Sequence, residues 1–398
     1  MADKSLKILV IAMADSIHTV RWLEQVADMG ADIRVFPSQG HGLVHPRLRS
    51  FTVYHSIGCR SEHLQRKIKW QNSRLYRVVR SALGIRLLPR LMPKYRLRKL
   101  LQVVDDFRPD IIHAMEFQSA GYLTLVAKRA RRGSFPVWIM TAWGSDIFYF
   151  RNFPEHVENI RGILRECDYL SCECQRDICL SKELGFRGEA LPPGSVTGGF
   201  DFNHLETLRQ PGLVSDRRVI MLKGYQHWVG RALTGLAAIE QCADLLSDYE
   251  IIVYASSRPT EAAVRKLRSE SGLKVTLLPH GQSHDEILRA HGRARISIGL
   301  SMSDGISVSF MEALVMGSFP IQSWTACADE WIEDGVSGSL VPPEDANAVA
   351  KALRRALTDD VLVDHAAQLN ARTARERLDY DHIRAQVMEL YRRVGQRV

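Results

Sequence analysis

Short apolar stretches alternate with amphipathic stretches along the first half of the chain. The apolar stretches have the length and β-branched content of strands, whereas residues 19–29 repeat with the period of a helix. Strands are predicted at residues 8–11, 33–36, 111–113, 137–141 and 169–172. Repeated alternation of strand and helix predicts a parallel sheet with helices on both faces.

The second half restarts this pattern after a segment rich in Pro, Gly and Ser at residues 191–199. Strands are predicted at residues 219–222, 251–254, 275–278, 296–298, 320–322 and 340–341, and helices at 346–357 and 382–394. We therefore predict an α/β protein with two Rossmann-like, doubly wound parallel-sheet domains. The N-terminal domain covers residues 1–195 and the C-terminal domain 196–375, and a C-terminal helix at 376–398 is expected to pack near the domain junction.

Several broad classes of protein are disfavoured by the sequence. No apolar stretch approaches the about 18 residues that cross a bilayer, and no cleavage-site pattern follows residues 7–13, so we expect a cytoplasmic protein. The seven cysteines favour reduced thiols over a disulfide framework. Those at positions 167, 172, 174 and 179 lack the spacing of zinc ligands. The first strand precedes no G-x-G-x-x-G, so a nicotinamide-dependent enzyme is also disfavoured.

Residues 303–317 (SDGISVSFMEALVMG) carry the strongest chemical signal. Asp304 and Glu312 bracket a turn containing Gly and Ser that leads into an apolar helix. The N–H groups at a helix start form an anion site suited to a diphosphate, and carboxylates accept hydrogen bonds from sugar hydroxyls. The segment therefore suits a nucleotide sugar. The alternative is a structural capping box formed by Ser309 and Glu312.

Several segments in chain order resemble the family 4 glycosyltransferases of the GT-B fold. Residues 312–321 (EALVMGSFPI) are similar to the family's EAMACGTPVI motif, and residues 330–341 (EWIEDGVSGSLV) to its E-x-I-x-DGxxGxLV motif. Residues 16–23 (SIHTVRWL), 110–114 (DIIHA) and 143–147 (WGSDI) resemble segments that recur in bacterial members. The resemblance implies two domains facing a central cleft and a retaining transfer of sugar from a nucleotide diphosphate.

The resemblance also implies roles for residues of the second half. Asp304, at the position where the family usually has glutamate, would contact donor sugar hydroxyls, and Glu312 would contact the ribose. The donor diphosphate would bind the N–H groups of the turn, which comprises Gly305, Ile306, Ser307 and Val308. Family members neutralise the leaving diphosphate with an Arg and a Lys. Here the spacing differs, and Lys223 and Arg231 are the candidates. An alternative for Arg231 is a solvated helix face.

Polar residues that follow strands of the first half are candidates for the acceptor side, because ligands collect at the carboxyl ends of parallel strands. His18 and Arg21 follow the first strand, and Trp143 and Asp146 follow the strand at 137–141. His113 and Glu116 are the remaining candidates. Structural alternatives stay open for the two histidines and for Asp146, which is also placed to cap a turn.

Positive charge is concentrated in residues 60–99. This segment contains thirteen Lys or Arg residues against the single acid Glu62, and the rest of the chain has 40 basic against 44 acidic residues. Placed on a helix, residues 64–83 separate apolar from cationic side chains, with Trp70 among the cations. The pattern suggests a peripheral protein on an anionic membrane surface. A solvated face over the domain core is the alternative, and nucleic acid is disfavoured because no known binding module accompanies the charge.

These observations predict a glycosyltransferase that uses a UDP- or GDP-type sugar and needs no cofactor or tightly bound metal. The acceptor would be a hydroxyl of a glycan or lipid-linked precursor in cell-envelope or exopolysaccharide biosynthesis, on the cytoplasmic face of the membrane. Two alternatives remain. One is a nucleotide-sugar epimerase of the same fold, and the other is a non-catalytic, membrane-associated partner subunit.

Overall fold

The chain forms two compact units. The computed structural model describes residues 5–40, 43–54, 62–63, 91, 94–194 and 198–397. The first unit consists of Met1–Gly198 and Arg384–Val398, and the second of Gly199–Ile383. The boundary predicted at residue 195 and most of the basic segment at 60–99 lie outside the described residues.

The first unit is built on an eight-stranded sheet with the order β4-β3-β2-β1-β5-β6-β7-β8. Its strands are β1 (Lys7–Ala12), β2 (Asp32–Pro37), β3 (Thr52–Val53), β4 (Glu62–His63), β5 (Ile111–Met115), β6 (Val137–Thr141), β7 (Tyr169–Ser171) and β8 (Glu189–Ala190). Neighbouring strands are parallel except for the antiparallel pair β3 and β4. The strand order reverses direction between β1 and β5, which is the doubly wound arrangement predicted from the sequence.

Helices connect these strands and cover the sheet. They are α1 (Ile17–Val26), α2 (Tyr95–Phe107), α3 (Tyr122–Ala130), α4 (Ser145–Phe148), α5 (Pro154–Glu166) and α6 (Gln175–Glu183). All five residues of β5 are buried. Burial on both faces explains why the central strands read as continuous apolar runs rather than as alternating ones. Cys167 and Cys172 are buried in the same core.

The second unit has a six-stranded, fully parallel sheet with the order β11-β10-β9-β12-β13-β14. Its strands are β9 (Val219–Lys223), β10 (Glu250–Tyr254), β11 (Lys274–Leu277), β12 (Ile296–Gly299), β13 (Phe319–Ser323) and β14 (Ser339–Val341). The helices between them are α7 (Phe202–Leu208), α8 (Ala232–Gln241), α9 (Arg258–Ser271), α10 (His284–Arg293) and α11 (Val308–Met316). The strands predicted from the sequence in both units are confirmed, with ends shifted by one or two residues.

The chain ends in three helices, of which the middle one was not predicted. They are α12 (Ala346–Thr358), α13 (Asp360–Leu378) and α14 (Tyr380–Gly395). The side chain of Asp359 caps α13 by accepting a hydrogen bond from the Leu362 N–H. The buried side of α13 includes alanines and Asn370, so its apolar periodicity is weak. Among the described residues, no helix combines the length and apolar character required to cross a bilayer.

A buried polar cluster joins α14 to the first sheet. The His113 ring nitrogens lie 2.6 Å from the Tyr391 hydroxyl and 2.6 Å from the Thr141 hydroxyl. The Trp22 indole N–H donates to the same Tyr391 oxygen over 3.0 Å. Because the cluster is buried, its hydrogen bonds replace those that these groups would make to water. Burial lowers the pKa of His113 to about 3, so this ring is neutral in the native protein at neutral pH.

The low pKa of His113 predicts a loss of stability in acid. Between about pH 6.5 and pH 3 the unfolded chain binds a proton at this residue and the native state does not, so the free energy of unfolding falls as pH is lowered. One such group contributes up to about 1.4 kcal/mol per pH unit. Urea unfolding of His113→Gln should therefore depend less steeply on pH than that of the wild type. The control His280→Gln, at a histidine whose side chain is 69% exposed, should keep the wild-type slope. Equal slopes for all three proteins would contradict the assignment.

Candidate functional site

The turn between β12 and α11 holds the residues that the sequence singled out. The helix begins at Val308, and Ser307 occupies the N-cap position with an extended backbone. Gly305 and Ile306 are buried within the turn. The N–H groups of the first helical turn and the positive end of the helix dipole lie at this carboxyl edge of the sheet. This geometry favours an anion.

A lysine lies at the same helix start. Lys223 is the last residue of β9, the neighbour of β12 in the sheet, and its Nζ donates a hydrogen bond to the Ser307 Oγ over 3.1 Å. The Ser309 Oγ is 2.7 Å from that hydroxyl. A cation beside a helix N-terminus is opposed by the helix dipole, so helix stability alone does not favour it. A bound anion would be attracted by both groups.

Two serine hydroxyls are in contact at the start of α11, and a buried phenol lies at the end of β10. The Ser307 and Ser309 Oγ atoms are 2.7 Å apart, and the Tyr254 ring packs edge-on against the His291 ring with centroids 5.4 Å apart. Burial raises the pKa of Tyr254 well above its usual value, and the charge of Glu312 acts in the same direction. The phenol therefore stays protonated. Since Ser307 is the N-cap and Ser309 lies inside the helix, the structure excludes the alternative interpretation of Ser309 and Glu312 as a capping box.

The two predicted carboxylates have different surroundings. Asp304 is half-buried ahead of the helix, and its Oδ1 accepts a hydrogen bond from the Gly305 N–H over 3.0 Å. Glu312 lies within α11 and is only 5% exposed. Its carboxylate is directed at α10, where the His284 Nε2 lies 2.9 Å from Oε1. The His291 Nε2 lies 3.7 Å from Oε2.

Sequence reasoning missed both histidines around Glu312. His284 opens α10 with its side chain 38% exposed, and His291 is 1% exposed. Burial lowers the pKa of His291 to about 4, although the Glu312 charge opposes this shift, so His291 is neutral at neutral pH. The two residues are seven positions apart in one helix, which places them on the same face. That spacing, ahead of a strand and of the apolar helix that carries Glu312, was the available signal.

Arg231 has a different environment from Lys223. It is the N-cap residue of α8, and its Nε donates to the Glu344 carboxylate over 2.8 Å. Its Nη1 donates to the carbonyl oxygens of His227 over 2.9 Å and Gly230 over 3.1 Å. The guanidinium thus braces the loop after β9, so the alternative of a solvated helix face does not describe Arg231. Since these donors are engaged, Lys223 is the better candidate for an anion ligand.

Four of the six first-unit candidates are grouped after β1 and β6. His18 lies in the first turn of α1, and its ring centroid is 5.6 Å from that of Trp143. Arg21, one turn further along α1, is half-buried. The Asp146 Oδ2 accepts from the N–H groups of Trp143 over 2.6 Å and Phe117 over 3.2 Å. Asp146 therefore ties the loop after β6 to the loop after β5.

The remaining two candidates, Glu116 and His113, make hydrogen bonds within the first unit. Glu116 has a positive φ of 76° and accepts hydrogen bonds from the N–H groups of Ser119 over 3.0 Å and Ala120 over 2.6 Å. Burial, followed by the charge of Glu116, raises the pKa of Asp146 well above its usual value. His113 is 0% exposed in the cluster described above. A side chain without exposed surface does not line a binding surface, so the acceptor-side role predicted for His113 is corrected to a structural one.

Two sequence families match the chain in order. The family described as Glycosyl transferase 4-like matches residues 7–172, and the family described as Glycosyl transferases group 1 matches residues 236–376. Each match covers most of one sheet and includes the segments on which the resemblance was based. Among curated proteins, no sequence is a significant match.

Solved structures with similar folds include enzymes from several sources. Sucrose-phosphate synthase from Thermosynechococcus elongatus is 17% identical with a TM-score of 0.73, covering 99% of this chain and 100% of that chain. Anabaena HepE in complex with UDP and glucose is 17% identical with a TM-score of 0.68, covering 98% and 100%. A glycosyltransferase from Rickettsia africae is 13% identical with a TM-score of 0.66, covering 100% of both chains.

The sequence matches and the structural matches agree. The family matches name glycosyltransferases over both halves of the chain, and the structural matches share the fold of two Rossmann-like domains with flanking helices. The chain belongs to the family 4-like glycosyltransferases of the GT-B fold.

Proposed function

We propose that this glycosyltransferase is a retaining enzyme that takes its sugar from a UDP- or GDP-type donor. The acceptor is a hydroxyl group of a glycan or lipid-linked precursor in cell-envelope or exopolysaccharide biosynthesis. The observation that carries the proposal is the contact between Lys223 and Ser307 at the start of α11. Similar folds give further support, since HepE has been solved in complex with UDP-glucose as well as with UDP and glucose.

The start of α11 binds the donor diphosphate in this proposal. The backbone N–H groups from Gly305 to Val308 donate to phosphate oxygens, and Lys223 supplies a full positive charge beside them. As the bond between sugar and phosphate breaks, negative charge accumulates on the leaving diphosphate. Fixed donors and a cation that are already in place stabilise that charge without reorganisation.

The two carboxylates bind the rest of the donor. Asp304, ahead of the helix, accepts hydrogen bonds from hydroxyls of the transferred sugar, and Glu312 accepts from the ribose hydroxyls. Aspartate is one methylene shorter than glutamate, so the sugar lies closer to the backbone of the turn than a glutamate would require. Hydrogen bonds to a charged acceptor contribute about 1.5 to 3 kcal/mol each.

The transfer needs no protein nucleophile. The acceptor oxygen forms a bond to the anomeric carbon on the face from which the phosphate departs. The bond from that carbon to the phosphate oxygen breaks, and the acceptor proton passes to an oxygen of the departing diphosphate. No resident metal or cofactor is part of this proposal. In the first unit, His18, Arg21 and Trp143 are the residues proposed to meet the acceptor.

Replacement of Glu312 tests the donor role. Glu312→Ala removes the proposed ribose acceptor, so kcat/KM for sugar transfer should fall by about 100-fold or more, as expected for two lost charge-assisted bonds. Circular dichroism and thermal unfolding should show a folded protein. The matched control Glu240→Ala, at an exposed glutamate of α8, should keep wild-type activity. Substantial turnover by Glu312→Ala would reject the assigned role.

Replacement of Lys223 tests the diphosphate site. Lys223→Ala removes the cation at the start of α11 and should weaken binding of UDP or GDP by about tenfold or more. Binding of the corresponding monophosphate should change less, because it reaches the site with one phosphate fewer. Isothermal titration calorimetry measures both constants. Lys274→Ala, at a lysine whose side chain is 74% exposed, is the control. A parallel weakening of monophosphate and diphosphate would argue against the assignment.

Membrane association rests on sequence alone, since most of the segment at 60–99 lies outside the described residues. We propose that the cations of this segment hold the enzyme at an anionic surface where a lipid-linked acceptor is found. Arg96 and Lys99 are exceptions, because Arg96 donates to the carbonyl oxygens of Pro37 and Ser38 and Lys99 is only 5% exposed. In vesicle flotation the protein should be recovered with vesicles containing phosphatidylglycerol and not with pure phosphatidylcholine vesicles. About 0.5 M salt should release it, because screening shortens the range of the attraction. Equal recovery with both vesicle types would reject the proposal.

A further inference from the structure

The carboxylate of Glu312 lies between two imidazole rings of one helix. The His284 Nε2 is 2.9 Å from Oε1, and the His291 Nε2 is 3.7 Å from Oε2. Because both histidines belong to α10, a shift of that helix would move them together. The orientation of the carboxylate is therefore coupled to the packing of α10 on α11.

His291 is held in place through its Nδ1, the ring nitrogen that does not face Glu312. The His291 Nδ1 is 2.9 Å from the Ser297 Oγ, which is 2.7 Å from the Ser318 Oγ. The Ser318 hydroxyl donates to the carbonyl oxygen of Ala313, one residue after Glu312. The His291 Nε2 is wholly buried and has no hydrogen-bond partner among the described residues. It faces the carboxylate at a distance that is too long for a hydrogen bond.

His284 makes the direct hydrogen bond to Glu312. A carboxylate is an acceptor only, so the hydrogen between the two groups belongs to the His284 Nε2. The backbone of His284 is fixed at its position by the capping box of Ser283 and Glu286 at the start of α10. Its ring also lies 6.2 Å, centroid to centroid, from that of Phe200. Backbone and side chain are thus both constrained, and the donor points at one carboxylate oxygen.

We propose that His284 is a positioning residue that orients the Glu312 carboxylate so that it accepts from both vicinal hydroxyls of the donor ribose. This inference rests on the ribose-binding role proposed for Glu312. A carboxylate that turns freely about its last bond meets two adjacent hydroxyls at once only part of the time. The bond to His284 occupies one lone pair of Oε1 and directs the remaining lone pairs of both oxygens.

If His284 has this role, the wild-type protein binds a ribonucleotide more tightly than the corresponding 2′-deoxyribonucleotide. Loss of the 2′-hydroxyl removes one of the two hydrogen bonds to an oriented carboxylate, which costs the wild-type protein about tenfold or more in affinity. Without His284 the carboxylate reorients toward the single remaining hydroxyl, so the same deletion costs less. A role of His284 in folding alone would weaken both nucleotides equally and leave their ratio unchanged.

The experiment measures dissociation constants for UDP, GDP and their 2′-deoxy counterparts by isothermal titration calorimetry. The proteins are the wild type, His284→Ala and His284→Gln, of which glutamine retains an N–H donor near the position of Nε2. His204→Ala is the matched control. It removes another imidazole that contacts a carboxylate of α10, with the His204 Nε2 3.0 Å from the Asp285 Oδ1. Thermal unfolding verifies that each variant is folded.

We expect wild type and His204→Ala to prefer the ribonucleotide by about tenfold or more, and His284→Ala by less than about threefold. His284→Gln should recover part of the preference. An unchanged ratio in His284→Ala would overturn the inference while leaving the proposed function intact. Failure of the wild type to bind either ribonucleotide would contradict the proposed donor class, and the role of His284 with it.

Discussion

The contact between Lys223 and Ser307 places a positive charge where a helix dipole is already positive. Nothing in the local stability of α11 calls for this arrangement. It follows from the order of the second sheet, in which β9 and β12 are neighbours, so that residues leaving the two strands meet at one edge. The roles proposed for Asp304 and Glu312 depend on this contact, because each would bind one part of a donor whose phosphates are held there.

The second unit buries polar groups around this edge at a cost in stability. Glu312, His291 and Tyr254 are all at most 6% exposed. Glu312 contacts the rings of His284 and His291, His291 contacts the Ser297 hydroxyl, and the Tyr254 ring packs on that of His291. A buried network of this kind stabilises a fold only when its members are satisfied, and an apolar core of the same shape serves folding at least as well. His291 retains an Nε2 with no hydrogen-bond partner among the described residues. Such a group is better explained by a binding site than by packing.

The fold was predictable because strands that are buried on both faces of a sheet appear in the sequence as runs of apolar residues. Residues 8–12 of β1 and 219–222 of β9 are buried, and both strands appear in the sequence as uninterrupted apolar runs. The position of Lys223 was predictable for the same reason, since it follows such a run directly. Helix α13 has a weaker apolar periodicity and was not predicted, because alanines and an asparagine occupy part of its buried side.

Side-chain partners were less predictable, because they depend on the packing of elements distant in sequence. His113 was expected at the end of a strand, but β5 continues to Met115 and carries that ring into the core. Arg231 was expected either at the phosphates or in solvent, and Glu344 lies more than a hundred residues away from it. His284 meets Glu312 only because α10 packs on α11. The seven-residue spacing of His284 and His291 places both on one face of a helix, but it does not show which carboxylate that face meets.

The central claim is that the start of α11 binds a diphosphate, and a crystal structure with bound UDP or GDP tests it most directly. The account predicts phosphate oxygens about 3 Å from the Lys223 Nζ and from backbone nitrogens between Gly305 and Val308. A nucleotide whose phosphates bind elsewhere, with the first turn of α11 untouched, would contradict it.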